Sequence, residues 1–205
     1  MPGMAILRSH FLTGTHKYGT MLPDPDQVYT PAEDTFLLLD AAKGEVRAGD
    51  RVLEVGTGSG RIAMELSGRA ALVVATDINP HAVVSARDQG IDVLRTDLID
   101  GIGGAFDLIL FNPPYLPTRP EERIDDWLEY ALDGGVSGRD VIARFLAGAG
   151  RVLAPGGRIL LLVSSLTGLP DVTGIALAAG YSATVIREEA IEGERLYVIR
   201  LVRKL

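Results

Sequence analysis

The chain contains no cysteine, so neither a disulfide nor a thiolate zinc site can form within it. Its three histidines, His10, His16 and His81, are scattered, which argues against a metal ligated by this chain. Long apolar runs are missing: the longest aliphatic stretch, Ile159 to Val163, is far too short to cross a bilayer. No basic, then apolar, then small-residue pattern opens the sequence, so a secretory signal is not expected. Basic residues are in deficit, 20 against 27 acidic, for a net charge of −7. A protein that grips phosphates usually carries a basic face, so direct nucleic-acid binding is not expected. What is present is ordinary for a globular domain. With 47% apolar and 23% charged residues over 205 positions, wholesale disorder, collagen and coiled coil are excluded. A soluble intracellular protein is expected.

Residues 1–28 lack a period and hold several glycines and prolines; they read as a loosely ordered tail, leaving 29–205 as one domain. The domain alternates. Strand-like runs are Arg51–Val55, Leu72–Thr76, Ile91–Leu94, Phe106–Phe111, Arg158–Val163, Ser182–Arg187 and Arg195–Val202. Helix-like segments lie between most of the first five, which predicts an α/β fold with a mainly parallel sheet. The short polar stretch Glu188–Glu194 cannot hold a crossover helix, so the last two runs form a hairpin with one antiparallel strand. Thr30-Pro31-Ala32-Glu33 fits a capping box that starts a helix ended by Gly44. Ala154-Pro155-Gly156-Gly157 reads as a second helix stop. Phe36 and Met64 read as core.

The first strand runs into Gly56-Thr57-Gly58-Ser59-Gly60. Glycines at alternate positions admit positive φ and close approach of a ligand to the backbone. The spacing is not that of a pyrophosphate-binding dinucleotide loop. Asp77 follows nineteen residues after Gly58, at the end of the second strand, where a carboxylate can accept from two ribose hydroxyls. Alone, such an aspartate is more often a turn or cap residue; with the glycine turn at this distance, the ribose reading leads. Asp97, after the third strand, could accept from an adenine amino group or be a solvated loop acid.

Asn112-Pro113-Pro114-Tyr115 ends the fourth strand and is the most informative tetrapeptide of the chain. The carboxyl ends of strands near the first one form the ligand crevice of an open parallel sheet. There the Asn112 side-chain oxygen and the Pro113 carbonyl would be two converging acceptors. They fit the two hydrogens of a primary amino or amide group and hold its nitrogen while a methyl arrives from a sulfonium. Tyr115 would supply a flat wall.

With these residues together, the chain resembles the class I S-adenosylmethionine-dependent methyltransferases of the Asn-Pro-Pro-Tyr type, with a Rossmann-like, seven-stranded, mainly parallel sheet and one antiparallel strand. More narrowly it resembles the eukaryotic and archaeal HemK-type enzymes, through Val28-Tyr29-Thr30-Pro31-Ala32-Glu33-Asp34-Thr35-Phe36-Leu37-Leu38-Leu39-Asp40 and Gly134-Gly135-Val136-Ser137-Gly138-Arg139-Asp140-Val141. The resemblance implies a cytoplasmic enzyme that methylates the glutamine amide in the Gly-Gly-Gln motif of a class 1 peptide-chain release factor. It implies S-adenosylmethionine lined by Thr35, Glu54, Gly56, Gly58, Asp77, Asp97, Leu98 and Asn112, and catalytic roles for Asn112, Pro113 and Tyr115. It also implies a small zinc-binding activator subunit in a heterodimer. The third strand, Ile91–Leu94, would lie at a sheet edge, where Ile91, Val93 and Leu94 could take such a partner by strand addition, or where Asp92 and Arg95 could instead protect a short free edge.

Three other readings stand beside this one. An adenine amino methyltransferase would use the same tetrapeptide, but a flipped base needs a basic groove or an added recognition domain, and neither is visible. A non-catalytic scaffold would not need the intact tetrapeptide. Lysine methylation would require a deprotonated amine. Glu121, Glu122, Asp125 and Asp126 read as a solvated acidic stretch, and Arg139 as a surface arginine or a contact to an acidic partner.

Overall fold

The computed structural model describes residues 24–119, 121 and 126–204. Most of the stretch read as a tail, together with Glu122 and Asp125, lies outside the described residues. Asp24–Val28 is described, and it is tied to the domain. Pro25–Gln27 makes one 3₁₀ turn, Asn79 Nδ2 donates to the Gln27 carbonyl at 2.7 Å, and Val28 is buried.

The elements run α1 (Glu33–Glu45), β1 (Arg51–Val55), α2 (Arg61–Leu66), β2 (Leu72–Asp77), α3 (Pro80–Asp88), β3 (Asp92–Arg95), β4 (Phe106–Phe111), α4 (Trp127–Tyr130), α5 (Asp140–Ala149), β5 (Leu153–Ser164), α6 (Leu169–Ala178), β6 (Tyr181–Ile191) and β7 (Glu194–Arg203). One seven-stranded sheet has the order β3-β2-β1-β4-β5-β7-β6. The pairs from β3 to β5 are parallel, and β7 is antiparallel to both of its neighbours. The hairpin turn is Glu192-Gly193, so β6 and β7 reach further toward it than the apolar pattern indicates.

Both faces of the sheet are covered, which is why its central strands read as continuous apolar runs. Leu53, Val55, Ile109 and Phe111 point to one face and pack with α5, whose Phe145 ring lies 4.7 Å from that of Phe111. Val52, Leu108 and Leu110 point to the other and pack with α1 and α2 through Leu38, Ile62 and Leu66. Strand order has one consequence for function. β1 pairs directly with β4, Val55 opposite Phe111, so the turns that follow these strands stand side by side.

Four sequence expectations are corrected. Thr30 does not cap α1: the N-cap is Ala32, and Tyr29 to Pro31 stay outside the helix. Residues 153–157 are not a helix stop but the start of β5. They form a bulge between the pairs Phe106–Leu153 and Leu108–Arg158, where Gly157 packs against the Phe106 carbonyl too closely for a side chain. Ile91 is not on an open edge: it is buried, and its Cδ1 packs on Gly60. Phe36 and Met64 are exposed rather than core.

Candidate active site

A cavity of about 710 Å³ opens at the carboxyl ends of the strands. Thr35, Glu54, Gly56, Gly58, Asp77, Asp97, Leu98, Asn112, Pro113 and Tyr115 all line it. Residues spread from position 35 to 115 are thus gathered round one space.

The glycine turn forms one wall. Gly56 and Gly58 sit at φ of 65° and 53°, in the left-handed region that side chains resist. A methyl added at Gly56 would contact the Phe111 ring at 3.5 Å and one at Gly58 the Tyr29 carbonyl at 4.0 Å, so it is the positive φ rather than crowding that calls for glycine at both. Gly60 serves packing instead; a methyl there would lie 2.8 Å from Ile91 Cδ1. Glu54 pins the turn from below. Its Oε2 accepts from Thr57 Oγ1 at 2.7 Å and from the Ala63 amide at 2.9 Å. Burial pushes its pKa up to about 8 against the pull of those donors, with the nearby Asp77 charge adding to the rise.

Asp77 braces the turn from the side. Its Oδ2 accepts from the Gly58 amide and its Oδ1 from the Asn79 amide, each at 2.8 Å. Burial raises its pKa and the backbone donors oppose that rise. Each carboxylate oxygen carries a second lone pair, so two further donors can be accepted from the cavity. Asp97 sits at the rim, with Oδ2 held by Arg144 Nη2 at 2.5 Å. Leu98 beside it has φ of 52°, a left-handed conformation that costs a leucine roughly 1–2 kcal/mol. Its carbonyl is held there by Thr76 Oγ1 at 2.9 Å.

The opposite wall is Asn112–Tyr115. Asn112 Nδ2 donates to Asp34 Oδ2 at 3.0 Å, while its Oδ1 is buried with no hydrogen-bond partner among the described residues. A buried acceptor left unmade costs about 1–3 kcal/mol, and in a cavity wall it marks the place where a ligand donor belongs. Tyr29 also donates to Asp34 Oδ2, at 3.0 Å. Burial and then the Asp34 charge raise the Tyr29 hydroxyl pKa, which keeps it a donor. Burial raises that of Tyr115 too, with the charges of Asp34 and Glu194 adding to it.

Sequence reasoning quoted Asp34 and Tyr29 only as part of a matching stretch and gave them no role. It also missed α4, whose Trp127 lines the cavity, donates its backbone amide to Gln27 Oε1 at 3.1 Å and has its ring 5.7 Å from the Arg95 guanidinium. A lone tryptophan after an acidic stretch gives no periodic signal. Arg139 is a structural residue: its Nη1 donates to the Thr167 carbonyl at 2.5 Å and faces Asp171.

Sheet order and glycine turn together define a Rossmann-like α/β domain with a ligand cavity at the carboxyl ends of its strands. Residues 33–125 match the family described as Methyltransferase small domain. A Methanocaldococcus jannaschii chain named for protein N5-glutamine methyl transfer is 38% identical over 184 residues, covering 86% of this chain and 92% of its own. Human Methyltransferase HEMK2 is 34% identical over 192 residues, covering 86% and 90%. Among solved structures, the E. cuniculi Mtq2–Trm112 complex, described as responsible for methylation of the eRF1 translation termination factor, contains a chain that superposes with a TM-score of 0.73. That chain is 33% identical, and the match covers 87% of this chain and 99% of that one. The chain belongs to the HemK-type family of methyltransferases.

Proposed function

We propose that this protein transfers a methyl group from S-adenosylmethionine to the side-chain amide nitrogen of the glutamine in a release factor's Gly-Gly-Gln motif. The observation that carries this reading is the unpartnered Asn112 Oδ1 in the cavity wall. It supports an acceptor group for a substrate N–H, beside a turn in which two prolines remove competing backbone donors. The protein N5-glutamine methyl transfer for which the 38% identical relative is named, and the eRF1 methylation ascribed to the Mtq2–Trm112 complex, point to the same substrate class.

The cavity fits the methyl donor. Its glycine turn presents backbone rather than side chains at Gly56 and Gly58, Asp77 retains acceptor capacity for a ribose diol, and Glu54 sits below as an acid able to ionise against a cationic group. When bound, S-adenosylmethionine supplies an electrophilic methyl on a sulfonium. Thr35, Glu54, Gly56, Gly58, Asp77, Asp97, Leu98 and Asn112 would hold it.

An amide nitrogen is a poor nucleophile because its lone pair is delocalised. Asn112 Oδ1 and the Pro113 carbonyl would each accept one of its hydrogens, drawing the lone pair toward the nitrogen and fixing the direction of attack. Tyr115 would support the planar amide from one side. Every such contact orients the substrate, and no covalent intermediate with the protein is required.

A small activator subunit completes the proposal. β3 is an edge strand of the sheet, and Leu94 on it is half exposed. An apolar open edge takes a partner by strand addition. Zinc, in this reading, belongs to that partner and not to this chain.

The test is methyl transfer from labelled donor to a release factor, with and without a candidate activator, using the intact Gly-Gly-Gln motif and one with its glutamine replaced. Label confined to the intact motif is expected. Label that ignores the replacement would move the acceptor elsewhere.

A further inference from the structure

Asp34 lies on the first turn of α1, 5% exposed, and is the acceptor for four donors. Its Oδ1 takes the Thr35 amide at 2.6 Å and the Thr35 hydroxyl at 3.2 Å. Its Oδ2 takes the Tyr29 hydroxyl and Asn112 Nδ2, both at 3.0 Å. A carboxylate only accepts, so the Asn112 amide has a single compatible orientation: Nδ2 toward Asp34, which leaves Oδ1 as the unpartnered acceptor of a residue that lines the cavity. The reverse would set an amide oxygen against a carboxylate and turn the amide hydrogens toward the substrate.

We propose that Asp34 is a positioning residue for the transfer reaction, selecting the Asn112 rotamer that presents an acceptor rather than a donor to the substrate nitrogen. This rests on the function proposed above. Asp34 lines the cavity, and its assigned part in the reaction is indirect. It acts through Asn112, and the Tyr29–Pro31 segment, which stays outside the helix, serves the same carboxylate by bringing the Tyr29 hydroxyl to it. Replacement of Asp34 by asparagine keeps the size and removes one acceptor. The Thr35 donors retain the remaining oxygen, a new NH₂ faces Asn112, and the Asn112 amide turns over to accept from it. The site then offers hydrogens to hydrogens.

Two readouts test this, both on the full chain with its activator. Asn79 and Asn112 are the only asparagines, so isotopic labelling of asparagine yields two side-chain amide groups, and Asn112→Ala assigns them. Asp34→Asn adds a third amide group, identified as the new signal that persists in the double variant Asp34→Asn with Asn112→Asp. The Asn112 signal is expected to shift and its hydrogen exchange to speed up while Asn79 stays unmoved, and an unmoved Asn112 signal overturns the proposal. In kinetics, Asp34→Asn is expected to lower kcat about 100-fold with the KM for the methyl donor within about threefold. Unchanged kcat, or an equal loss of donor affinity, overturns it. The double variant Asp34→Asn with Asn112→Asp restores a donor facing a carboxylate with reversed polarity. It is expected to exceed both single variants in kcat by about tenfold, since Asn112→Asp alone sets two carboxylates face to face. No gain overturns the proposal even where Asp34→Asn alone fails to fold. If the unmodified protein transfers nothing to glutamine, the functional reading falls, and the amide signal still decides what Asp34 does to Asn112.

Discussion

The Gly58 amide donates to Asp77 Oδ2 across 2.8 Å, so the carboxylate at the end of β2 braces the turn at the end of β1. One residue therefore holds two features that are nineteen positions apart in sequence. Asp77→Asn keeps the shape but leaves one acceptor oxygen where two backbone donors compete for it. Methyl-donor affinity is expected to fall about 10–100-fold, equivalent to roughly 1.4–2.7 kcal/mol. Calorimetric titration checks this, and affinity within threefold would remove Asp77 from the site.

Glu54 makes stability depend on pH. Its ordinary pKa of 4.5 rises to about 8 in the fold. Between these values the folded protein holds a proton that the unfolded chain has released, so stability falls as pH rises through this window and is indifferent to Glu54 below it. Glu54→Gln preserves a carbonyl oxygen for Thr57 and Ala63 and removes the cost of ionisation. It is expected to raise unfolding free energy at pH 8 by about 1–3 kcal/mol and hardly at all near pH 4.5. The same variant is expected to bind the donor more weakly, having lost the charge that can face a cation. Denaturation at both pH values, followed by donor titration, tests the pair; an equal gain at both would contradict the assignment.

Gly60 tolerates nothing larger. A methyl would meet Ile91 Cδ1 at 2.8 Å and Ala86 at 3.3 Å, with φ at 82°. Gly60→Ala is expected to cost about 2–4 kcal/mol from overpacking and left-handed strain together. Gly49→Ala, with no atom within 4 Å of the added carbon, provides the comparison and is expected to cost less than about 0.5 kcal/mol. Urea unfolding of the two variants distinguishes them; similar midpoints would refute the packing role of Gly60.

Leu94 is 50% exposed on the edge strand β3. Leu94→Asp is expected to weaken association with the activator at least tenfold while leaving the thermal midpoint of the isolated chain within about 2 °C, since an exposed side chain contributes little to the core. Co-purification and thermal unfolding read the two effects. Undiminished association would place the activator elsewhere.

Strands were legible where burial on both faces left mostly apolar runs, as in Arg51–Val55, with Glu54 inside it, and Phe106–Phe111, broken only by Asp107; their observed limits coincide with those expected. Local rules failed where a tertiary contact outbid them. Thr30 has the composition of a cap, but the chain around it stays outside the helix with the Tyr29 hydroxyl directed at Asp34. Pro155-Gly156-Gly157 has the composition of a helix stop, but its backbone pairs into β5 as a bulge. Ile91 reads as an edge residue until the closeness of Gly60 buries it.

Residue types set the chemistry on their own. Glycines at 56 and 58, acids at 54 and 77, and the Asn112-Pro113-Pro114-Tyr115 turn specify a small-ligand site with acceptors and, in a chain lacking cysteine, without thiol chemistry. Only the fold decided which of those groups meet. Pairing β1 with β4 sets the glycine turn beside Asn112, and the start of α1 carries Asp34 to the far side of that same amide. Sequence spacing records neither contact, because hydrogen-bond partners 78 residues apart are brought together by sheet order and helix packing, which act over the whole chain at once.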